Sequence, residues 1–169
     1  MKYGEKNEKL VLRIYLDNCC YNRPYDDQSQ MRISLESQAK LYIQAMIEKG
    51  NIDLVSSYIL DYEVSRNPYE VRQKTIRGYI DDNAVVYVDN SYEKEAEEIA
   101  NNIKATGVKS MDALHTACAI IAKCDYLITT DDRLLKYESK EIRIVDPTEF
   151  VRENGGKNND WEQQGICRI

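Results

Sequence analysis

The sequence predicts an α/β fold, a three-layer sandwich in which a central parallel sheet of about five strands is flanked by helices. Three observations carry this reading. Short apolar runs of strand length recur along the chain: "LVLRIYL", "DLVSS", "AVVYV", "DYLIT" and "IRIV". Stretches with the period and length of amphipathic helices separate them. Two of the runs lead into an acid, Asp17 and Asp131, at the sheet edge where such folds collect ligands.

The elements follow in order. "LVLRIYLD" reads as a strand ending at Asp17. "SLESQAKLYIQAMIEKG" places Leu35, Ala39, Tyr42, Ile43, Met46 and Ile47 on one helical face, with Ser34 as N-cap and Gly50 as the stop. "DLVSS" is the second strand. "YILDYEVSRNPYEVRQKTIRGYI" has helical texture broken at Asn67 and Pro68, so two helices are expected. "AVVYVD" is the third strand, after which Ser91 opens a helix with Ala96, Ile99, Ala100 and Ile103 inward and Gly107 closing it. Ser110 is expected to cap "MDALHTACAIIAKC", which is apolar on two sides and so belongs between the sheet and other helices. "DYLITTD" is a fourth strand, "DRLLKYE" a short helix, "IRIVD" a fifth strand, and "PTEFVREN" a helix with Pro147 in its first position.

The 169 residues suit one folded unit. We divide them into a charged leader (1–9), a folded domain (10–153) and a polar tail (154–169). No apolar run approaches the roughly 20 residues of a spanning helix, and no secretory leader is visible, so a cytoplasmic protein without membrane association is expected. The five cysteines form neither a C-x-x-C pair nor a secreted framework, so reduced thiols are expected. A single histidine, His115, excludes multi-histidine zinc sites. The net charge of −6 argues against nonspecific coating of nucleic acid, which needs many cations on phosphates. It leaves room for a nuclease whose acids are covered by metal ions.

Each acid has an ordinary role, since aspartate favours turns, caps and first helical turns. Thr129 shares a strand face with Asp131 and can hydrogen-bond a carboxylate or a water. Asp112 lies in the first turn of an otherwise apolar helix, where a buried charge needs a partner, and His115 follows one turn later. Glu63 and Asp61 share one helical stretch, and periodicity does not choose between them.

"YLDN", "YEVSR", "MDALHTA" and "LITTDDRLL", in this order, resemble the PIN-domain nucleases, including the VapC-type toxins, over about residues 10–150. The resemblance implies an acidic site of Asp17, Glu63, Asp112 and Asp131, catalytic and metal-binding. Asn18, Thr129, Asp132, Arg66 and His115 are supporting candidates. It also implies an RNA substrate, an antitoxin protein as partner, and a homodimer. Many members carry a small polar side chain two residues after the first Asp; here Cys19 stands there, beside Asn18. We read Cys19 and Cys20 as small apolar side chains and Asp132 as the cap of "RLLKYE".

Converging carboxylates repel by roughly 1 kcal/mol per pair at about 4 Å in water and about 4 kcal/mol at an effective dielectric of 20. A cation relieves this, and oxygen-only ligands favour Mg²⁺ or Mn²⁺, a setting suited to phosphodiester hydrolysis. Arg23, Arg66, Lys109 and Arg133 are candidate phosphate contacts. The alternative is a catalytically silent PIN-like module that binds protein or RNA. The intact acids oppose it and Cys19 favours it.

Overall fold

The computed structural model describes residues 11–155. The leader and positions 156–169 of the tail lie outside the described residues. Strand β1 (Leu12–Leu16) pairs in parallel with β2 (Ile52–Ser57) on one side and β4 (Tyr126–Ile128) on the other. The outer strands are β3 (Ala84–Val88) and β5 (Arg143–Val145), giving the all-parallel order β3-β2-β1-β4-β5. Ile14 lies opposite Leu54 on one side and Tyr126 on the other. Ile14, Tyr15, Leu16, Leu54, Val55, Leu127 and Ile128 are fully buried, which is why the inner strands read as continuous apolar runs.

The chain steps outward from β1 to β2 and β3, then returns to the far side of β1 for β4 and β5. With right-handed crossovers, this reversal sends the connecting helices to opposite faces of the sheet, giving the three layers. Helix α1 (Asn18–Asn22) follows β1 directly, and α2 (Met31–Glu48) carries the chain to β2. Helices α3 (Tyr58–Ser65) and α4 (Glu70–Asn83) are separated at Asn67 and Pro68, as expected, with Asn67 Oδ1 accepting from the Tyr69 backbone N–H at 3.0 Å. Helices α5 (Glu93–Lys104) and α6 (Ser110–Ile121) pack on each other, as do α2 and α8 (Pro147–Asn154); α7 (Asp132–Leu135) is a single turn. The covered α6 buries Ala113, His115, Thr116, Ala117, Cys118 and Ala119. The reversal makes the β1/β4 edge the topological switch point, where Asp17 and Asp131 leave the sheet.

Several boundaries differ from the sequence reading because a capping preference is weak beside tertiary packing. Helix α2 begins at Met31 behind Gln30, so Ser34 is inside it and accepts from Gln38 Nε2 at 3.2 Å. Asp89, not Ser91, opens the third crossover, taking the Ser91 N–H at 2.9 Å and closing a 3₁₀ turn before α5. Lys109 holds the cap position of α6 and Ser110 is already helical. Asp131, not Asp132, caps α7. The last helix, α8, has the expected bounds, Pro147–Asn154.

Helix α2 buries two charges. Glu36 is satisfied by Arg23 at 3.0 Å and Arg32 at 2.5 Å. Lys40 is 5% exposed and sits over the Tyr21 ring, 5.4 Å from its centroid. Burial pushes its ammonium down to about 8, the nearby Cys20 opposing. Above that value the native state has released a proton that the unfolded chain keeps up to 10.5, so this lysine's contribution to stability rises with pH across that window. Lys40→Met is expected to be about 3 kcal/mol more stable than wild type at pH 7. Urea denaturation should show the difference closing by roughly pH 10.5.

Candidate functional site

Asp17 occupies the joint between β1 and α1. Its backbone N–H extends the ladder to Ile128 O at 2.9 Å, and its Oδ1 accepts the Asn18 N–H at 2.7 Å as the helix cap. Oδ2 accepts from Thr129 Oγ1 at 2.9 Å and from Cys19 Sγ at 3.4 Å. The carboxylate is 4% exposed and fully oriented. Thr129 also accepts the Asp131 N–H at 3.1 Å, so one hydroxyl links the two strand-end acids. Cys19 is thus not merely an apolar filler: its sulfur lies in this network, also receiving the Thr130 N–H at 3.3 Å. Cys20 is apolar in setting, fully buried, with its thiol on Ile128 O. The four described cysteines are all free thiols.

Glu63 reaches the same edge because β2 passes into α3 without a loop, Ser57 Oγ capping the helix at the Leu60 N–H. Its Oε2 accepts from Asn18 Nδ2 at 3.0 Å and its Oε1 meets His115 Nε2 at 2.5 Å. Asp61 instead accepts from Tyr87 Oη at 2.6 Å and pairs with Arg77 at 3.5 Å, on the α4 and β3 side. Arg66 does not pair with Glu63; its Nη1 donates to Tyr62 Oη at 2.8 Å.

His115 is fully buried, with Nδ1 2.6 Å from Tyr15 Oη, which in turn lies 2.6 Å from Ser57 Oγ. Its Nε2 is also 3.7 Å from Asp17 Oδ1. Both the neutral ring with a proton on Nε2 and the imidazolium let every member of this chain find a partner, and in both Nε2 donates to Glu63. Burial pushes His115 down, but the Glu63 hydrogen bond and the charges of Asp17, Glu63 and Asp112 bring it above its ordinary value. Burial pushes Glu63 up, yet His115 and Asn18 bring it below.

Asp112, half-buried in the first turn of α6, is raised to about 6 by burial and then by the charges of Asp17 and Asp131, with His115 and Lys109 opposing. Three aspartates therefore share one field. Asp131 commits Oδ1 to the Arg133 and Leu134 N–H groups at 2.8 and 3.1 Å, while Oδ2 has no donor among the described residues. Asp132 stands outside this group, held by both terminal nitrogens of Arg32 at 3.0 and 2.7 Å.

Asp17, Glu63 and His115 each offer an atom within 4.8 Å of the others, enough to hold a cation by distance. With Nε2 donating to Glu63, His115 orients that carboxylate, and the oxygen donors are those of the acids. Sequence reasoning missed Tyr15 and Ser57. A tyrosine in the middle of a strand buried on both faces is the signal that was available, because its hydroxyl must find a partner.

Between 3.8 and about 6 native Asp112 keeps a proton that the unfolded chain has lost, so stability falls as pH rises through this window. In chelator at pH 7.5, Asp112→Asn is expected to be about 2 kcal/mol more stable than wild type. Melts repeated below pH 4 should show no difference.

Among the described residues no helix is long and apolar enough to cross a membrane. No curated protein matches the chain. A chain of the crystal structure of VapBC2 from Rickettsia felis, bound to a DNA fragment from its promoter, aligns with a TM-score of 0.49 and 14% identity, over 79% of this chain and 97% of that one. The family model of the PIN domain matches residues 33–140. That span runs from α2 past the cap of α7 and takes in Glu63, Asp112 and Asp131, while β1 and its Asp17 precede it and join them through the sheet. By this match over more than half of its length, the chain belongs to the PIN domain family.

Proposed function

We propose that this protein is a metal-dependent endoribonuclease, with Asp17, Glu63, Asp112 and Asp131 as its metal-binding and catalytic acids. The observation that carries the reading is the convergence of Asp17 and Glu63 carboxylate oxygens with a ring nitrogen of His115, all within 4.8 Å of one another; beside them Asp112, raised to about 6 first by burial, is pushed up further by the Asp17 and Asp131 charges. Acids held this close without a cation repel one another, and an oxygen-rich donor set fits a hard divalent ion, Mg²⁺ or Mn²⁺. When bound, such an ion supplies charge neutralisation and Lewis-acid polarisation of the phosphoryl group.

The chain's own residues do the rest. Thr129, Cys19 and the Asn18 N–H hold the Asp17 carboxylate in one orientation, while the α7 N–H groups hold one oxygen of Asp131 and leave the other available. Asn18 and His115 grip opposite oxygens of Glu63, so its carboxylate plane is set before substrate arrives. Asp132 stabilises the surface through Arg32.

The substrate assignment to RNA, and a place as the toxin of a type II pair acting in the cytoplasm as a homodimer, rest on the motif resemblance. The test is incubation of mixed RNAs with Mn²⁺, beside a chelator arm and the Asp17→Asn variant. Cleavage only with metal and only by wild type is expected; cleavage that survives chelation overturns the assignment. Growth arrest on expression, relieved by the product of an adjacent small reading frame, tests the toxin role, and light scattering tests the dimer.

A further inference from the structure

An exposed set of tyrosines and arginines is joined to Glu63 through side-chain amides. The Arg72 guanidinium is sandwiched between two rings, its Cζ 4.5 Å from the Tyr25 centroid and 4.4 Å from that of Tyr69. Arg66 lies over the Tyr62 ring at 5.3 Å. Tyr25, Tyr62 and Tyr69 are 44%, 49% and 61% exposed. Among the described residues neither Arg66 nor Arg72 forms an ion pair, although acids outnumber bases in this chain. Exposed cation–π contacts contribute little to folding, so stability alone does not account for three surface tyrosines arranged in this way.

A run of hydrogen bonds ties the cluster to the acids. The Tyr69 N–H donates to Asn67 Oδ1 at 3.0 Å, and Asn67 Nδ2 donates to Asn22 Oδ1 at 3.0 Å. Asn22 Nδ2 donates to Asn18 Oδ1 at 3.2 Å, and Asn18 Nδ2 to Glu63 Oε2 at 3.0 Å. Each amide accepts through oxygen and donates through nitrogen, so all three orientations are mutually determined. The stack is thereby held in register with Glu63.

We propose that Tyr25, Arg72 and Tyr69, with Tyr62 and Arg66, form a docking platform for single-stranded RNA, holding nucleotides that flank the phosphodiester presented to the acids. The choice of polymer rests on the endoribonuclease reading; the platform itself rests on the stack and its link to Glu63. Bases stack on the exposed tyrosines, and the two guanidiniums without carboxylate partners meet phosphates that the acids alone would repel. Ring faces do not discriminate between bases, so this contact is tolerant of sequence.

The test is fluorescence anisotropy of a short labelled oligoadenylate in chelator, where binding is read without cleavage. Tyr69→Ala is expected to weaken binding about tenfold, with Tyr69→Phe close to wild type. Arg72→Ala should also lower the slope of log affinity against log salt by about 0.7. Unchanged affinity and salt slope in both Tyr69→Ala and Arg72→Ala overturn the platform. Platform-dependent binding without Mn²⁺-dependent cleavage overturns the nuclease reading alone and upholds the platform.

Discussion

Asp17→Asn is expected to lower metal-dependent RNA cleavage by about a thousandfold while the protein stays folded. The substitution keeps the shape of the side chain, and the amide oxygen can still cap α1 at the Asn18 N–H. The Thr129 hydroxyl, which now donates to Oδ2, can rotate to accept from the new amide nitrogen. What is lost is a charge at the centre of the acidic group, where several kcal/mol of transition-state stabilisation are at stake, and each 1.36 kcal/mol is about tenfold in rate. The same change removes one of the two charges that raise Asp112, so Asp112 should titrate nearer its ordinary range. Thr129→Val keeps the charge and removes only its orientation, for which about 10- to 100-fold is expected. Single-turnover cleavage with Mn²⁺, run beside thermal melts, checks all three. Wild-type rates in a folded Asp17→Asn protein would remove this residue from the site.

His115→Ala should be the most destabilising of these substitutions, by about 3 kcal/mol, because it opens a cavity and strips partners from Glu63 and Tyr15 at once. The loss should depend on pH. Glu63 lies below its ordinary value, so its contribution is present above the ordinary 4.5 and fades as pH falls through its native value. His115 lies above its ordinary value, so its contribution is complete below 6.5 and fades as pH rises through its native value. The gap between wild type and His115→Ala in metal-free protein should therefore be widest between about pH 4.5 and 6.5. Denaturant melts across pH 4 to 9 would read it, and a pH-independent gap would show that the pairing shifts the titration of neither group. Tyr15→Phe, which retains the ring and loses only the hydroxyl, should cost about 1 kcal/mol. In the cleavage assay His115→Ala should fall by about 10- to 100-fold, since His115 orients Glu63.

The parallel sheet and its helices were legible because they are written in local pattern. A strand buried on both faces reads as a near-continuous apolar run, as "IYL" at 14–16 and "LI" at 127–128 do, and the helix–strand alternation leaves few ways to connect the runs. From that topology alone Asp17 and Asp131 belong at the same edge. Helix starts were less legible at Ser34, Ser91 and Ser110, where a good capping residue stands one to four positions beyond the cap that packing selects.

Local pattern in the sequence was enough for the fold class, the order of the five strands and the break at Asn67 and Pro68, while the short helix Asn18–Asn22 was not foreseen and the four acids were named only through a motif resemblance. Packing across the sheet put Glu63 rather than Asp61 beside His115 and Asn18, turned Cys19 toward Asp17, gave the α7 cap to Asp131 and Asp132 to Arg32, and brought Tyr15, Ser57 and His115 into one hydrogen-bonded run. Hydrophobic period records which face of an element is buried. It does not record which polar atom will stand opposite, and here His115 and Glu63 meet across 52 residues and Thr129 and Asp17 across 112.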